Sequence, residues 1–182
     1  MKSKYWFLLL IPGIVFLDQF TKNLILQGLP LGDSIPVIPH IFDIVHVRNR
    51  GGAFGIFAGL PETTRQIFFY LVSAVALLAI GAYYVMLKEK SRLIYIFLVM
   101  IIAGALGNLW DRFLRGEVVD FLSFHWYDKV ASWNFFGFPV RFRLEWPAFN
   151  VADISISIAA TGIFLMTLKE SFQSSCDRSS SQ

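Results

Sequence analysis

Four apolar stretches dominate the chain, and two long, more polar segments and one short basic one separate them. A bilayer core about 30 Å thick takes about 20 helical residues to cross. The stretches at 5–26, 67–87, 93–114 and 147–168 meet that length, so the pattern predicts four transmembrane helices. The second carries no charge. The third is uncharged from Leu93 to Trp110 and then meets Asp111 and Arg112, and the fourth carries Asp153 alone. The first is uncharged only from Tyr5 to Leu17. Lys2 and Lys4 ahead of it imitate a secretory signal, but no small-x-small cleavage site follows. The run leads instead into Asp18-Gln19-Phe20-Thr21-Lys22 and reads as a retained helix.

The long segments, 27–66 and 115–146, have patterns of their own. Val140, Phe142 and Leu144 alternate with Arg141 and Arg143, the period of a half-buried strand, and residues 41–47 are β-prone. Connections of this length rarely lack internal structure. A small sheet resting on the outer membrane face is expected, with Trp126, Trp133 and Trp146 near the interface. The tail from Ser171 to Gln182 is Ser-rich and reads as disordered. The fold class expected is an all-α polytopic membrane protein with a small β-structured extracytoplasmic cradle, one membrane domain over 1–170.

Composition sharpens this picture. Hydrophobic residues make up 55% and charged residues 16%, with a mean hydropathy of +0.57. Soluble domains carry about 25% charged residues. A disordered chain, an acidic tail protein and an ordinary soluble enzyme are excluded. The single cysteine, Cys176, excludes an internal disulfide framework and cysteine metal clusters. The net charge of +3, from 16 basic and 13 acidic residues, is too small to suggest nucleic acid. Basic residues are densest at the N-terminal tip, in the short connection holding Lys88, Lys90 and Arg92, and in the tail with Lys169 and Arg178. Short basic connections stay in the cytoplasm, so both termini are expected inside and both long segments outside.

Ionisable residues within spans cost several kcal/mol and face a bundle interior or a water-filled site. Here they are clustered. Asp18 and Lys22 lie four apart in the first span; Asn108, Asp111, Arg112 and Arg115 crowd the end of the third. Asp120 follows, and Asn150 and Asp153 lie three apart at the start of the fourth. The expected topology brings all of them to the outer ends of their helices. Each has a plain structural reading: an i,i+4 pair for Asp18 and Lys22, snorkelling for Arg112 and Arg115, close helix packing for Gly104 and Gly107. Asp120 and Asp153 are harder to explain in that way. Two carboxylates brought together near low dielectric share one proton, so one takes a proton from water while the other polarises a carbonyl, as an aspartic protease requires.

Other chemistries fit less well. His40 and His46 flank Asp43, but no helical H-E-x-x-H accompanies them, and no metal site or other cofactor is expected. His125 is isolated and reads as an interfacial polar residue. Cys176 has no partner, and neither G-x-S-x-G nor a phosphate-cradling glycine loop occurs. A proton-coupled transporter would spread its acids through the membrane depth, whereas these gather at one end. A non-catalytic binder of lipid II or lipoproteins would need the outer segments but not both Asp120 and Asp153. The Gly-x-Gly-Asp block of presenilin-type proteases is absent.

Five blocks in order resemble the bacterial lipoprotein signal peptidases, signal peptidase II. They are Asp18-Gln19-Phe20-Thr21-Lys22, Asn49-Arg50-Gly51-Gly52-Ala53-Phe54, Gly104-Ala105-Leu106-Gly107-Asn108-Leu109-Trp110-Asp111-Arg112, Gly116-Glu117-Val118-Val119-Asp120-Phe121 and Phe149-Asn150-Val151-Ala152-Asp153. The segment 123–146 is long and aromatic for that family. The resemblance implies an aspartic endopeptidase of the inner membrane with Asp120 and Asp153 as the catalytic dyad; no cofactor or metal is expected, and the chain is expected to be a monomer. It implies that Asp18, Lys22, Asn49, Gly51, Asn108, Asp111, Arg112 and Asn150 position the dyad or the substrate, with Asn49 or Asn150 the candidate donor to the substrate backbone or oxyanion. The implied partners are membrane lipids and a prolipoprotein whose lipobox cysteine carries diacylglycerol, cut just before that cysteine. An outer β-structured cradle and an interfacial helix belong to the same implication.

Overall fold

Backbone polar groups have no water to bond in hydrocarbon, so an apolar run of this length must close its hydrogen bonds internally as a helix. The structure, a computed structural model, describes residues 4–51, 57, 59–88, 91–135 and 138–179, and for 127–135, 138–145 and 174–179 the backbone alone. Lys2, Gly52, Ala53, Phe54 and Lys90 lie outside the described residues, as do the side chains of Trp133, Cys176, Arg178 and the alternating 140–144 segment. Four helices are long and apolar enough to cross a membrane. They are α1 (Leu10–Gly28), preceded by a 3-10 turn over Lys4–Leu9, then α2 (Glu62–Met86), α3 (Arg92–Arg115) and α4 (Val151–Ser179). Pro12 cannot donate to Leu8, which accounts for the tighter first turn.

Three boundaries differ from expectation. α2 begins five residues early, because Pro61 caps it: the Arg65 amide donates to the Pro61 carbonyl at 3.0 Å. α4 begins at Val151 and not at 147. Residues 146–149 are drawn into strand-like pairing, with the Phe149 amide donating to the Leu122 carbonyl at 3.0 Å and Trp146 to Phe124 at 2.8 Å. The tail expected to be disordered from Ser171 continues α4 to Ser179, since Lys169, Glu170 and Gln173 propagate a helix already nucleated.

The chain divides into two units: residues 1–18, 70–109 and 151–182, and residues 19–69 and 110–150. The first is helical. Its core joins Tyr84, Tyr95, Leu98 and Val99 with Phe7, Leu8, Ile11 and Ile163. Lys4 closes one end: its ammonium donates to the carbonyls of Tyr84 and Val85 in the last turn of α2 and of Leu87 just past it, where a cation suits the helix dipole. Leu71, Val75, Leu78 and Met86 of α2 are exposed, the side a bilayer would cover.

The second unit holds an antiparallel sheet in the order β1-β2-β3-β4: Ser34–Ile38, Phe42–Asn49, Val118–Phe135 and Phe138–Glu145. β2 matches the β-prone segment, and β4 the alternating one. The first part of β3 pairs with β2, placing Val47 opposite Asp120 and Asn49 opposite Val118. The rest pairs with β4 from His125↔Glu145 to Phe135↔Phe138, so the long aromatic segment is a hairpin. Among the described residues the two long segments hold strands and no helix of their own. Gly116 lets the chain turn from α3 into β3: its φ of +76° and its amide bond to the Arg112 carbonyl make a helix C-cap that a side chain would strain.

Candidate active site

In the sheet-bearing unit the site begins with Asp120, third residue of β3 and 3% exposed. Two amides hold it. Asn49 Nδ2 donates to Oδ2 at 3.1 Å, and Asn150 Nδ2 donates to Oδ1 at 2.7 Å. Asn49 ends β2, and its own Oδ1 accepts the Gly51 amide at 3.0 Å, which fixes its rotamer. Asn150, fully buried, also donates to the Val119 carbonyl at 3.3 Å. Both asparagines named as donors to a substrate oxyanion thus donate a hydrogen bond to Asp120. The carboxylate is gripped by neutral donors in a buried place, which favours a fixed orientation.

Asp111 supports this strand. It is fully buried at the end of α3, with Lys22 Nζ 2.8 Å from Oδ2. Oδ2 also accepts the Val119 amide at 3.2 Å, next to Asp120. Oδ1 accepts Gln19 Nε2 at 3.0 Å and a bond from Arg115. Arg115 reaches Gln19 Oε1 at 3.1 Å and Asn23 Oδ1 at 3.0 Å, so it is tied into α1 rather than extended towards headgroups. Arg112 is similarly engaged. Its guanidinium lies 4.6 Å from the Phe69 ring centroid, and Nη2 donates to the Gly51 carbonyl at 3.4 Å. A buried charged pair is stable only with its remaining lone pairs and protons satisfied, and Asp111 has four donors.

In the helical unit Asp153 lies in the first turn of α4, half-buried, and its Oδ1 accepts Asn108 Nδ2 at 2.8 Å. Asp18 is fully buried, and its Oδ1 accepts the Ala152 amide at 2.9 Å, satisfying one of the orphan donors that open α4. Gly107 makes room for Asp18: a Cβ there would lie 2.7 Å from Oδ2. At Gly104 a Cβ would run into the Ala152 carbonyl and Ile156, so the small-residue packing read from the sequence is present between α3 and α4.

Within its own unit each predicted position therefore has company. Asp120, Asn49, Asn150 and Gly51 form one group, joined through Val119 to Asp111 and Lys22. Asp153 and Asn108 form another, and Asp18 holds the start of α4. Gln19, Asn23 and Arg115 were not foreseen as partners of Asp111. Gln19 and Asn23, four apart in α1, were the available signal. Glu117 was also missed: it lies 3.4 Å from Arg48 and 3.0 Å from Arg50.

The histidines have other roles. His46 Nδ1 donates to the Leu29 carbonyl at 2.8 Å and Nε2 accepts from Arg48, which defines its tautomer. His125 is 1% exposed rather than interfacial, with Nε2 3.2 Å from Asp43. Among the described residues no three His, Cys, Asp or Glu side chains are grouped to hold a metal ion.

The family description "Signal peptidase (SPase) II" matches residues 10–169. The lipoprotein signal peptidase of Syntrophotalea carbinolica is 38% identical over 159 residues, 87% of this chain and 88% of that one. That of Desulforapulum autotrophicum is 43% identical over 145 residues, 80% of each. The Staphylococcus haemolyticus relative is 34% identical over 173 residues, 93% and 97%. A solved bacterial membrane enzyme superposes with a TM-score of 0.72 at 31% identity, over 94% of this chain and 90% of that one. Four spanning helices, an antiparallel sheet and likeness of this extent to named relatives lead to one conclusion: the chain belongs to the signal peptidase II family.

Proposed function

We propose that this chain is an aspartic endopeptidase that hydrolyses the bond before the diacylglyceryl-modified cysteine of prolipoproteins, with Asp120 and Asp153 as its dyad. What carries this reading is the treatment of Asp120: a carboxylate 3% exposed, held by Asn49 and Asn150, with Asn150 three residues ahead of Asp153 in the chain. Asp153 is held in turn by Asn108. Asparagine donors orient a carboxylate without neutralising it, as a shared-proton pair requires.

In the proposed reaction, the ionised member of the pair takes a proton from water as that water attacks the scissile carbonyl. The protonated member gives its proton to the carbonyl oxygen. The gem-diol collapses as a carboxyl group returns a proton to the departing amine of the cysteine, and no acyl-enzyme forms. The two titrate as a unit. Two acyl chains hold the substrate cysteine at headgroup depth, where water is available. The short basic connection and the basic N-terminal turn support cytoplasmic termini and a site at the outer face of the inner membrane. A monomer suffices for this chemistry, since both carboxylates come from one chain.

The test is cleavage of a diacylglyceryl-modified prolipoprotein by the purified protein, with a metal chelator present. Wild type should cleave, and Asp120→Asn and Asp153→Asn should each lose about 10²–10⁴-fold or more, the usual worth of a positioned acid or base. Full activity in either variant would overturn the dyad.

A further inference from the structure

A second polar cluster lies in the sheet-bearing unit, where α2 begins and α3 ends. Arg50, Glu62, Arg65, Arg115, Gly116 and Glu117 line a cavity of about 150 Å³, about ten times the roughly 10–15 Å³ that one water needs on the same measure. Two of its three arginines are engaged: Arg115 with Asp111, Gln19 and Asn23, and Arg50 through Nε with Glu117. Arg65 is different. It is 8% exposed, and among the described residues its guanidinium has one hydrogen bond, from Nη1 to the Leu60 carbonyl at 3.3 Å. Among the described residues no carboxylate comes within ion-pair distance of it. A guanidinium has five donors, so Arg65 keeps the capacity to bind a further acceptor in the cavity.

The charge around the cavity is also unbalanced. The charged lining residues and their direct ion-pair partners are Arg48, Arg50, Arg65 and Arg115 against Glu62, Asp111 and Glu117, an excess of one cation. The depth is informative too. Arg65 is two residues ahead of the uncharged run of α2, which starts at Ile67, and Arg115 is five beyond the uncharged run of α3, which ends at Trp110. At 1.5 Å per helical residue these are about 3 Å and 7.5 Å past the hydrocarbon boundary. The headgroup layer is about 5–7 Å thick on each side. Ile67, two residues after Arg65 on α2, is exposed, as a residue facing acyl chains would be.

We propose that this cavity binds the phosphate of an anionic phospholipid headgroup. A phosphodiester offers two acceptor oxygens that match the fork of Arg65, and its charge offsets the local excess. A zwitterionic headgroup carries its own cation and offsets nothing.

The experiment titrates the purified full-length protein in neutral detergent with short-chain phosphatidylglycerol, short-chain phosphatidylcholine, phosphate-free diacylglycerol and inorganic phosphate. Binding is read by calorimetry and by native mass spectrometry. Wild type should bind one phosphatidylglycerol, at least about fivefold more tightly than phosphatidylcholine. Arg65→Gln should weaken it about tenfold, the loss of one charge-assisted bond. Arg50→Gln, at an exposed side chain whose loss leaves the fold intact, should weaken it as well and carries the test if Arg65→Gln does not fold. Phosphatidylglycerol binding that is unchanged in Arg50→Gln and in folded Arg65→Gln, or equalled by diacylglycerol, overturns the site. Inorganic phosphate binding as tightly as phosphatidylglycerol overturns the lipid assignment.

Discussion

Gly107→Ala tests how the start of α4 is held. The added Cβ would lie 2.7 Å from Asp18 Oδ2, 3.2 Å from its Cγ and 3.3 Å from the Ala152 Cβ, against about 3.5–4.0 Å for an ordinary carbon contact. Asp18 is fully buried and already bonded to the Ala152 amide, so it has nowhere to retreat without giving up that bond. Losing an N-terminal capping bond costs about 1 kcal/mol, and overpacking a filled core costs about 1–3 kcal/mol. Removing a helical glycine returns about 1 kcal/mol. The net expectation is a loss of about 2 kcal/mol. Gly81→Ala in α2 is the matched control: its Cβ meets nothing within 4 Å, so only the gain of about 1 kcal/mol remains. At about 2–4 °C per kcal/mol for a chain of this size, Gly107→Ala should melt about 4–8 °C lower and Gly81→Ala about 2–4 °C higher. Intrinsic tryptophan fluorescence on a thermal ramp in detergent measures both. Asp153 follows Ala152 directly, so Gly107→Ala should also lose cleavage while Gly81→Ala keeps it. A Gly107→Ala protein melting at or above wild type would refute the packing reasoning.

Two further outcomes test the supports of Asp120. Asn150→Ala removes a 2.7 Å bond to its carboxylate; at about 1.5–3 kcal/mol for a bond to a charged group, kcat/KM should fall about 10–100-fold in steady-state cleavage while the protein stays folded. Unchanged kinetics would show that Asn150 does not position Asp120. Lys22→Met removes one member of a fully buried ion pair, which usually costs about 3–5 kcal/mol. Asp111 keeps Arg115, Gln19 and the Val119 amide, so the loss should be near 3 kcal/mol, a melting temperature about 6–12 °C lower.

The spans were legible because hydrocarbon admits few side-chain types, and that constraint acts on each segment alone. Their ends were less so. The polar first turn of α2, Glu62 to Gln66, is invisible to hydropathy, and the late start of α4 follows from pairing with β3 residues more than 20 positions earlier. β4 showed its alternation. β1 did not, since all five of its residues are exposed and Pro36 interrupts it. The sequence blocks named Asp111 and Lys22 separately, yet not their pairing. Gln19 and Asp111 are 92 residues apart, and no local period connects them. The arginines around Glu117 were unforeseen for the same reason: a charge read alone does not reveal which charge it faces.

The hub at Asp111 has a consequence for how the protein is made. α1 leaves the ribosome with Lys22 and Gln19 long before their partner exists; 92 residues at about 5–20 residues per second is about 5–18 s. During that interval Lys22 lacks the Asp111 carboxylate, and a charge without it is better placed near the membrane surface, so the nascent first helix should sit shallower in the bilayer. Emergence of α3 supplies that carboxylate and completes the pair. Biosynthesis thus has a late step of its own, and a chain arrested before Asp111 should leave Lys22 reachable by a water-soluble amine reagent that the finished protein resists.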